Sequence, residues 1–136
     1  MANILVVDDD PDMADCCAEV LRLEGHSAVI ARNGAEGLTL VSADKPDLIL
    51  LDVEMPVLNG PDMAYRLFID DAGQELIPIL LASGVLDLRS AAEEVGTPSF
   101  LGKPFSVKQL LAAVALALAE RTAPRPRIRQ ENDRDR

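Results

Sequence analysis

Short apolar runs alternate with segments of helical periodicity along most of the chain. Branched apolar residues fill these runs, which favours strands that are covered on both faces, as in a parallel sheet. The five runs are Ile4–Val7, Ala28–Ile30, Leu48–Leu51, Ile77–Leu81 and Ser99–Leu101. The segments between and after them predict five helices. We therefore expect an open α/β sheet with helices on both faces.

Capping residues mark where several helices begin and end. Asp10 followed by Pro11 predicts the N-cap and first position of the first helix, and Gly25 predicts its end. Asn33–Glu36 and Ser106–Gln109 resemble capping boxes. Apolar residues spaced by three and four predict the buried face of the last helix: Val107, Leu110, Leu111, Val114 and Leu118.

Charge divides the chain into an acidic body and a basic end. Residues 1–120 contain seven Lys and Arg against twenty Asp and Glu, whereas residues 121–136 contain six Arg and three acids. An acidic body repels phosphates, so we expect no direct nucleic-acid binding. Alternating prolines and charges after Arg121 predict one folded domain over 1–121 and a disordered tail over 122–136. Such a tail is more typical of a solubilising end than of a docking element.

Cysteine placement and hydropathy bear on location. Cys16 and Cys17 are neighbours in a predicted helix and point about 100° apart, which suits neither a disulfide nor a metal pair. Free thiols favour a reducing, cytoplasmic location. The N-terminus does not have a signal-type pattern, and the apolar run Leu110–Ala119 is too short to span a bilayer. We expect a soluble protein without membrane contact.

Polar side chains follow the ends of four predicted strands: Asp8 and Asp9 after the first, Asp52 at the third, Ser83 after the fourth and Lys103 after the fifth. Ligands of open α/β sheets bind just beyond the carboxyl ends of the strands, so these side chains should converge. Crowded carboxylates favour a cation, and Mg²⁺ takes carboxylate oxygens while leaving room for a phosphoryl group. A carboxylate can serve as the nucleophile, while a lysine and a hydroxyl hold the phosphoryl oxygens.

Four motifs, in order, resemble the receiver domain of bacterial two-component response regulators over residues 3 to about 120: Val6–Asp10, Leu51–Gly60, Leu81–Gly84 and Leu101–Phe105. The resemblance implies a flavodoxin-like, doubly wound fold with a five-stranded parallel sheet in the order 2-1-3-4-5. Since the chain shows no effector domain, it also implies a stand-alone, chemotaxis-regulator-like protein. A histidine kinase or histidine phosphotransfer protein would donate the phosphoryl group. A downstream protein would bind the surface formed by the fourth helix, fifth strand and fifth helix.

The resemblance further implies a role for each matching residue. These are Asp52 as the phosphoacceptor; Asp8, Asp9, Asp52 and the backbone carbonyl of Glu54 as ligands of Mg²⁺; Ser83 and Lys103 as partners of the phosphoryl group; and Phe100 as the aromatic switch. The Lys103–Pro104 bond matches the cis peptide of the family. We expect Phe100 to face the core.

The sequence departs from the family pattern before the fifth strand. Val85–Gly102 is slightly short, and Gly96–Ser99 stands where a Gly-Ala turn is common. The fourth helix is therefore placed only somewhere within Val85–Glu94. Phe100 replaces a tyrosine, which removes a hydroxyl from the switch position.

Two other functions share part of this pattern. A haloacid-dehalogenase-like, Mg²⁺-dependent phosphohydrolase also uses an aspartate nucleophile, and Glu54 would be its second acid, but no cap domain is visible. A receiver-like scaffold could bind partners without phosphorylation. The scaffold is disfavoured because every site position carries a chemically competent residue.

Overall fold

The computed structural model describes residues 2–53, 55, 58–70, 77–84 and 87–121, with backbone alone for residues 68–70. Within this part of the chain, strands and helices alternate. The elements are β1 (Asn3–Val7), α1 (Pro11–Leu23), β2 (Ser27–Ala31), α2 (Gly34–Ala43), β3 (Leu48–Leu51), α3 (Gly60–Asp70), β4 (Ile79–Ser83), α4 (Leu88–Val95), β5 (Phe100–Gly102) and α5 (Val107–Glu120).

The strands form one parallel sheet in the order β2-β1-β3-β4-β5, which confirms the predicted topology. The central strands are buried along their whole length, as their continuous apolar sequences predict. The fourth strand begins at Ile79, two residues later than predicted, and extends to Ser83. The fifth begins at Phe100, one residue later than predicted, and ends at Gly102.

Two apolar layers cover the sheet, one on each face. Because side chains alternate along a strand, Ile4 and Val6 join the layer of α1 and α5, whereas Leu5 and Val7 join the layer of α2, α3 and α4. This double burial holds the strand ends, where the polar residues lie, in fixed positions. No helix in the described ranges is both long and apolar enough to cross a bilayer.

The helix boundaries follow the predicted caps. Asp10 accepts hydrogen bonds from the backbone N–H groups of Asp12 and Met13, and Gly25 after α1 has a φ of 97°. Ser106 and Gln109 form both bonds of a capping box, whereas Asn33 forms the one bond from the Glu36 N–H.

Helix α4 begins at Leu88 with Asp87 as its N-cap and ends at Val95, one residue beyond the predicted limit. The start of the predicted range, residues 85 and 86, lies outside the described residues. The predicted disordered tail, 122–136, also lies outside them.

Two burial predictions were wrong. Val107 is 54% exposed, because it is the first residue of α5 and lies before the face on which Leu110, Val114 and Ala117 are buried. Phe100 is 41% exposed, because β5 is an edge strand whose side chains are only partly covered. Leu111 and Leu118 are partly buried against the core, close to the prediction.

Candidate functional site

The predicted site residues meet at the carboxyl ends of the strands. Asp8 follows β1, Asp52 follows β3, Ser83 is the last residue of β4 and Lys103 follows β5. Because β1, β3, β4 and β5 are consecutive neighbours in the sheet, these side chains lie along one edge. The edge is the place where open α/β sheets bind ligands.

An acidic cluster forms the centre of this edge. Asp8, Asp9 and Asp52 each offer one carboxylate oxygen, and these three oxygens lie within 4.8 Å of one another. Asp8 and Asp52 are buried, whereas Asp9 is exposed. Carboxylate oxygens at this spacing are the donor set of a hard divalent cation, so the residues fit Mg²⁺.

Lys103 supplies a positive charge beside the cluster. Its Nζ donates a hydrogen bond to Oδ2 of Asp8 at 2.7 Å and lies 3.9 Å from Oδ1 of Asp52. Burial alone would lower the pKa of Lys103, but the hydrogen bond to Asp8 and the negative charges of Asp52 and Asp8 outweigh burial and hold that pKa above its usual value. Lys103 is therefore positively charged at neutral pH.

Asp52 lies in a different electrostatic environment from an ordinary surface acid. The pKa of Asp52 is raised to about 6, mainly because burial disfavours the charged carboxylate. The charge of Lys103 and hydrogen bonds from Ser83 and from the Val53 N–H oppose this rise, and the charge of Asp8 adds to it. The Val53 N–H lies 2.9 Å from Oδ1 of Asp52. A carboxylate kept partly desolvated is more nucleophilic than a fully hydrated one, provided that cations offset its charge.

A family model described as the response regulator receiver domain matches residues 4–115 of the chain. The chain belongs to this receiver family. The response regulator MprA of Mycolicibacterium vanbaalenii is 38% identical over 123 residues, which cover 90% of this chain and 52% of MprA. The chain thus spans about half the length of the curated relatives it matches.

Solved structures agree with the family. The signal receiver domain of a signal transduction histidine kinase from Syntrophus aciditrophicus has a TM-score of 0.78 and 30% identity, covering 88% of this chain and 92% of that one. A CheY-like receiver domain protein from Methanospirillum hungatei has a TM-score of 0.79 at 24% identity, covering 89% and 96%, and shows the fold.

Receiver domains are signalling modules of two-component systems, in which histidine kinases supply phosphoryl groups to response regulators. A phosphorylated aspartate and Mg²⁺ in an acidic pocket are general features of the family. This membership sets the chain apart from the phosphohydrolase considered from the sequence.

Three side chains at this receiver site were not predicted. Met13, Cys17 and Phe105 line a small cavity of about 10 Å³ together with Asp8, Asp52 and Lys103. Burial raises the pKa of Cys17 to about 11, and its Sγ lies 3.9 Å from Sδ of Met13. These residues form an apolar wall against the ion pair. Met13 and Cys17 are four residues apart in α1 and so share one helix face, but this spacing alone did not show that the face packs against the site.

Of the other two predicted residues, one lies away from the acidic cluster and the other is not among the described residues. Phe100 is on β5, paired in register with Leu81, and is not part of the acidic cluster. Glu54, predicted to offer its backbone carbonyl, lies outside the described residues. The Lys103–Pro104 peptide is cis, as predicted.

Gly60 packs directly beneath the predicted phosphoacceptor. Its N–H donates a hydrogen bond to the Val53 carbonyl at 2.9 Å. A Cβ at this position would collide with the backbone carbonyl of Asp52. Glycine therefore permits the start of α3 to approach the end of β3 closely.

Proposed function

We propose that this receiver domain accepts a phosphoryl group on Asp52 from the phosphohistidine of a histidine kinase or histidine phosphotransfer protein. The observation that carries the proposal is the position of Asp52. Its buried carboxylate shares one site with two further acids within 4.8 Å and with the Lys103 ammonium at 3.9 Å. A nucleophile, a cation-binding donor set and a fixed positive charge are the parts that phosphoryl transfer requires.

In the proposed step, a carboxylate oxygen of Asp52 forms a bond to phosphorus while the phosphorus–nitrogen bond of the phosphohistidine breaks. The electron pair of that bond remains on the imidazole nitrogen of the donor, which is left as a neutral or protonated histidine. Negative charge on the transferring oxygens is stabilised by Lys103, and the Ser83 hydroxyl donates a hydrogen bond to one of them. Both side chains already interact with Asp52.

Asp8, Asp9 and Asp52 would hold Mg²⁺, with the backbone carbonyl of Glu54 as a further predicted ligand. When bound, the ion offsets the negative charge of the acids and of the phosphoryl group. Asp8 would then interact with both the metal and Lys103, from whose ammonium it already accepts a hydrogen bond.

The proposed output is a protein contact on the surface of α4, β5 and α5, with Phe100 as the switch residue. Phe100 and Val107 on this surface are large, exposed apolar side chains, which suits a docking surface. Whether the chain works as a stand-alone regulator stays a prediction, because its curated relatives are longer. We also propose no direct nucleic-acid binding by the acidic domain.

We also propose, from the sequence, that the domain ends at about residue 121 and that the Arg- and Pro-containing segment 122–136 is a disordered tail. A cytoplasmic location fits the free thiols of Cys16 and Cys17, which a reducing compartment would preserve.

Incubation with acetyl phosphate and Mg²⁺, followed by intact-mass measurement, tests the proposal. We expect a gain of one phosphoryl group, which is lost in Asp52→Asn and on chelation of the metal. Asp44→Asn removes an exposed carboxylate outside the cluster and should leave the gain unchanged. An unchanged mass with several phosphodonors and a histidine kinase would show that Asp52 is not a phosphoacceptor.

A further inference from the structure

Thr97 lies between α4 and β5, in the segment that departs from the family pattern. It is 7% exposed, and it is one of the few buried polar residues outside the acidic site. Its backbone N–H donates to the Ala92 carbonyl at 3.1 Å, which ties it to the last turn of α4. The hydroxyl therefore lies inside the protein, where a polar group needs hydrogen-bond partners.

The Thr97 hydroxyl has a partner on each side. Oγ1 donates to the Ile79 carbonyl at 2.6 Å and accepts from the Ser99 N–H at 3.2 Å. One partner is the first residue of β4, and the other immediately precedes β5. The hydroxyl thus bridges the two strands at the point where their pairing begins.

The register of the sheet shows what this bridge replaces. Leu81 pairs with Phe100, and the Leu81 N–H donates to the Ser99 carbonyl at 3.0 Å. Continuing this parallel register by one rung would bring the Ser99 N–H to the Ile79 carbonyl. The Thr97 hydroxyl stands between these two groups instead, and the next residue, Pro98, has no N–H with which to pair. A side chain supplies the first rung between β4 and β5.

β5 depends on such an anchor because it is short and lies at the edge. It has three residues, pairs with β4 alone, and carries Lys103 directly after its last residue. At its far end the Lys103 N–H donates to the Ser83 carbonyl at 2.9 Å. The position of β5 along β4 therefore sets where the Lys103 ammonium lies relative to Asp8 and Asp52.

We propose that the Thr97 hydroxyl is a positioning group, which fixes the start of β5 against Ile79 and thereby holds Lys103 at the phosphorylation site. The inference depends on the proposed function, because Lys103 is taken to stabilise the phosphoryl group. Thr97 itself touches neither Asp52 nor the donor. It acts through the placement of β5.

The test compares Thr97→Val, which keeps the shape and removes the hydroxyl, with Thr97→Ser, which keeps the hydroxyl. Thr39→Val is the matched control, because Thr39 also donates a side-chain hydrogen bond to a backbone carbonyl, that of Ala35, but on an exposed helix surface. Three quantities are measured in the full chain: amide exchange at Ser99, the NMR shift of the Lys103 side chain, and the rate of phosphorylation by acetyl phosphate at saturating Mg²⁺.

In Thr97→Val we expect about tenfold faster exchange at Ser99, a shifted Lys103 resonance and phosphorylation slowed by about threefold to tenfold. Mg²⁺ affinity should stay within about twofold of the wild type, since no proposed ligand is moved. In Thr97→Ser and in Thr39→Val, all three quantities should stay close to their wild-type values.

The inference is overturned if Thr97→Val exchanges faster at Ser99 but keeps the wild-type Lys103 resonance and phosphorylation rate. Thr97 would then have only a local structural role. If the wild type itself takes up no phosphoryl group, the proposed function fails, and the Lys103 resonance alone decides the positioning role. Should Thr97→Val not fold, Thr97→Cys is measured instead, because it retains a weak donor of similar size. Its amide exchange at Ser99 should be faster than in the wild type and its Lys103 resonance shifted, both by less than complete loss of the hydrogen bond would cause.

Discussion

At the scale of single residues, the acids of the site differ in how far the protein satisfies them. Both oxygens of Asp8 already accept a hydrogen bond, Oδ1 from the Asp10 N–H at 3.0 Å and Oδ2 from Lys103 at 2.7 Å. Asp9 is exposed at the rim of the same cluster. Binding of a cation would therefore disturb few existing interactions of Asp9, whereas Asp8 would bind the cation while it also accepts hydrogen bonds from Asp10 and Lys103.

The ligand assignment predicts different effects on Mg²⁺ affinity for substitutions of two site residues. Asp9→Ala should weaken Mg²⁺ binding because a direct ligand oxygen is lost, whereas Lys103→Ala should largely spare it, since a protonated lysine cannot bind a metal. Titrating Mg²⁺ while following NMR signals measures both affinities. Asp12→Ala, an exposed acid in the first turn of α1, controls for the loss of charge. Equal affinities for wild type and Asp9→Ala would remove Asp9 from the ligand set.

The raised pKa of Asp52 predicts a pH-dependent stability in the metal-free protein. Its pKa is about 6 in the folded chain against an ordinary 3.8, so between these values the folded state holds a proton that the unfolded state has lost. Stability falls as pH rises through this window. At pH 7 in the presence of a chelator, Asp52→Asn should therefore be more stable, by about 1–2 kcal/mol after allowance for solvent screening.

Urea denaturation of both proteins at pH 7 and well below pH 3.8 measures this gain. The difference should disappear at the lower pH, where Asp52 is protonated in both states. Asp44→Asn, at an exposed position, should show no comparable gain. A wild type that is more stable than Asp52→Asn at pH 7 without metal would contradict the origin of the pKa in burial.

At the scale of secondary-structure elements, capping chemistry located boundaries better than apolar patterning did. Asp10 and Ser106 begin their helices as predicted, because each side chain bonds to N–H groups only two or three residues away. The start of β5 could not be predicted in this way. We propose that it depends on the hydrogen bond from Thr97 to Ile79, a contact across 18 residues that only the folded sheet creates.

The elements around β5 predict where phosphorylation changes the surface. Phe100 has no hydroxyl and is partly exposed, so its alternative positions should differ by packing alone. Hydrogen exchange with and without beryllofluoride, a phosphoryl mimic, should change protection over residues 87–105. The same experiment on Asp52→Asn controls for direct effects of the reagent. Changes confined to α1 and α2 would place the signalling surface elsewhere.

At the scale of the whole molecule, the sequence pattern predicted the edge that carries the site, and the resemblance to receiver domains implied the order of the strands. Parallel strands bring their carboxyl ends to one edge, so Asp8, Asp52 and Lys103 had to meet. The apolar wall of Cys17 and Phe105 was not predictable, because apolar patterning gives the buried face of an element but not the neighbour it packs against. Phe100 is exposed although it was expected to face the core, and the implied strand order had already placed β5 at an edge of the sheet.

The proposed domain boundary predicts that the tail is dispensable for folding. Truncation after Arg121 should shift the melting temperature by no more than about 2 °C and leave phosphorylation unchanged, since prolines and exposed charges bury little apolar surface. Differential scanning calorimetry of the full and truncated chains at equal ionic strength tests this. Truncation before Leu118, a residue packed on the core, is the contrasting variant and should destabilise the protein. A large loss on removing 122–136 would show that the tail packs on the body.

The contact between Gly60 and the Asp52 carbonyl has a consequence for how this protein can vary through evolution. Gly60 has no side chain and no chemical part in phosphoryl transfer, yet any larger residue there would push the α3 backbone away from the end of β3. If Asp52 is the phosphoacceptor, as proposed, selection for its function also acts on a residue that never contacts the phosphoryl group. In a library of all substitutions, position 60 should accept as few replacements as position 52, although for reasons of space instead of charge.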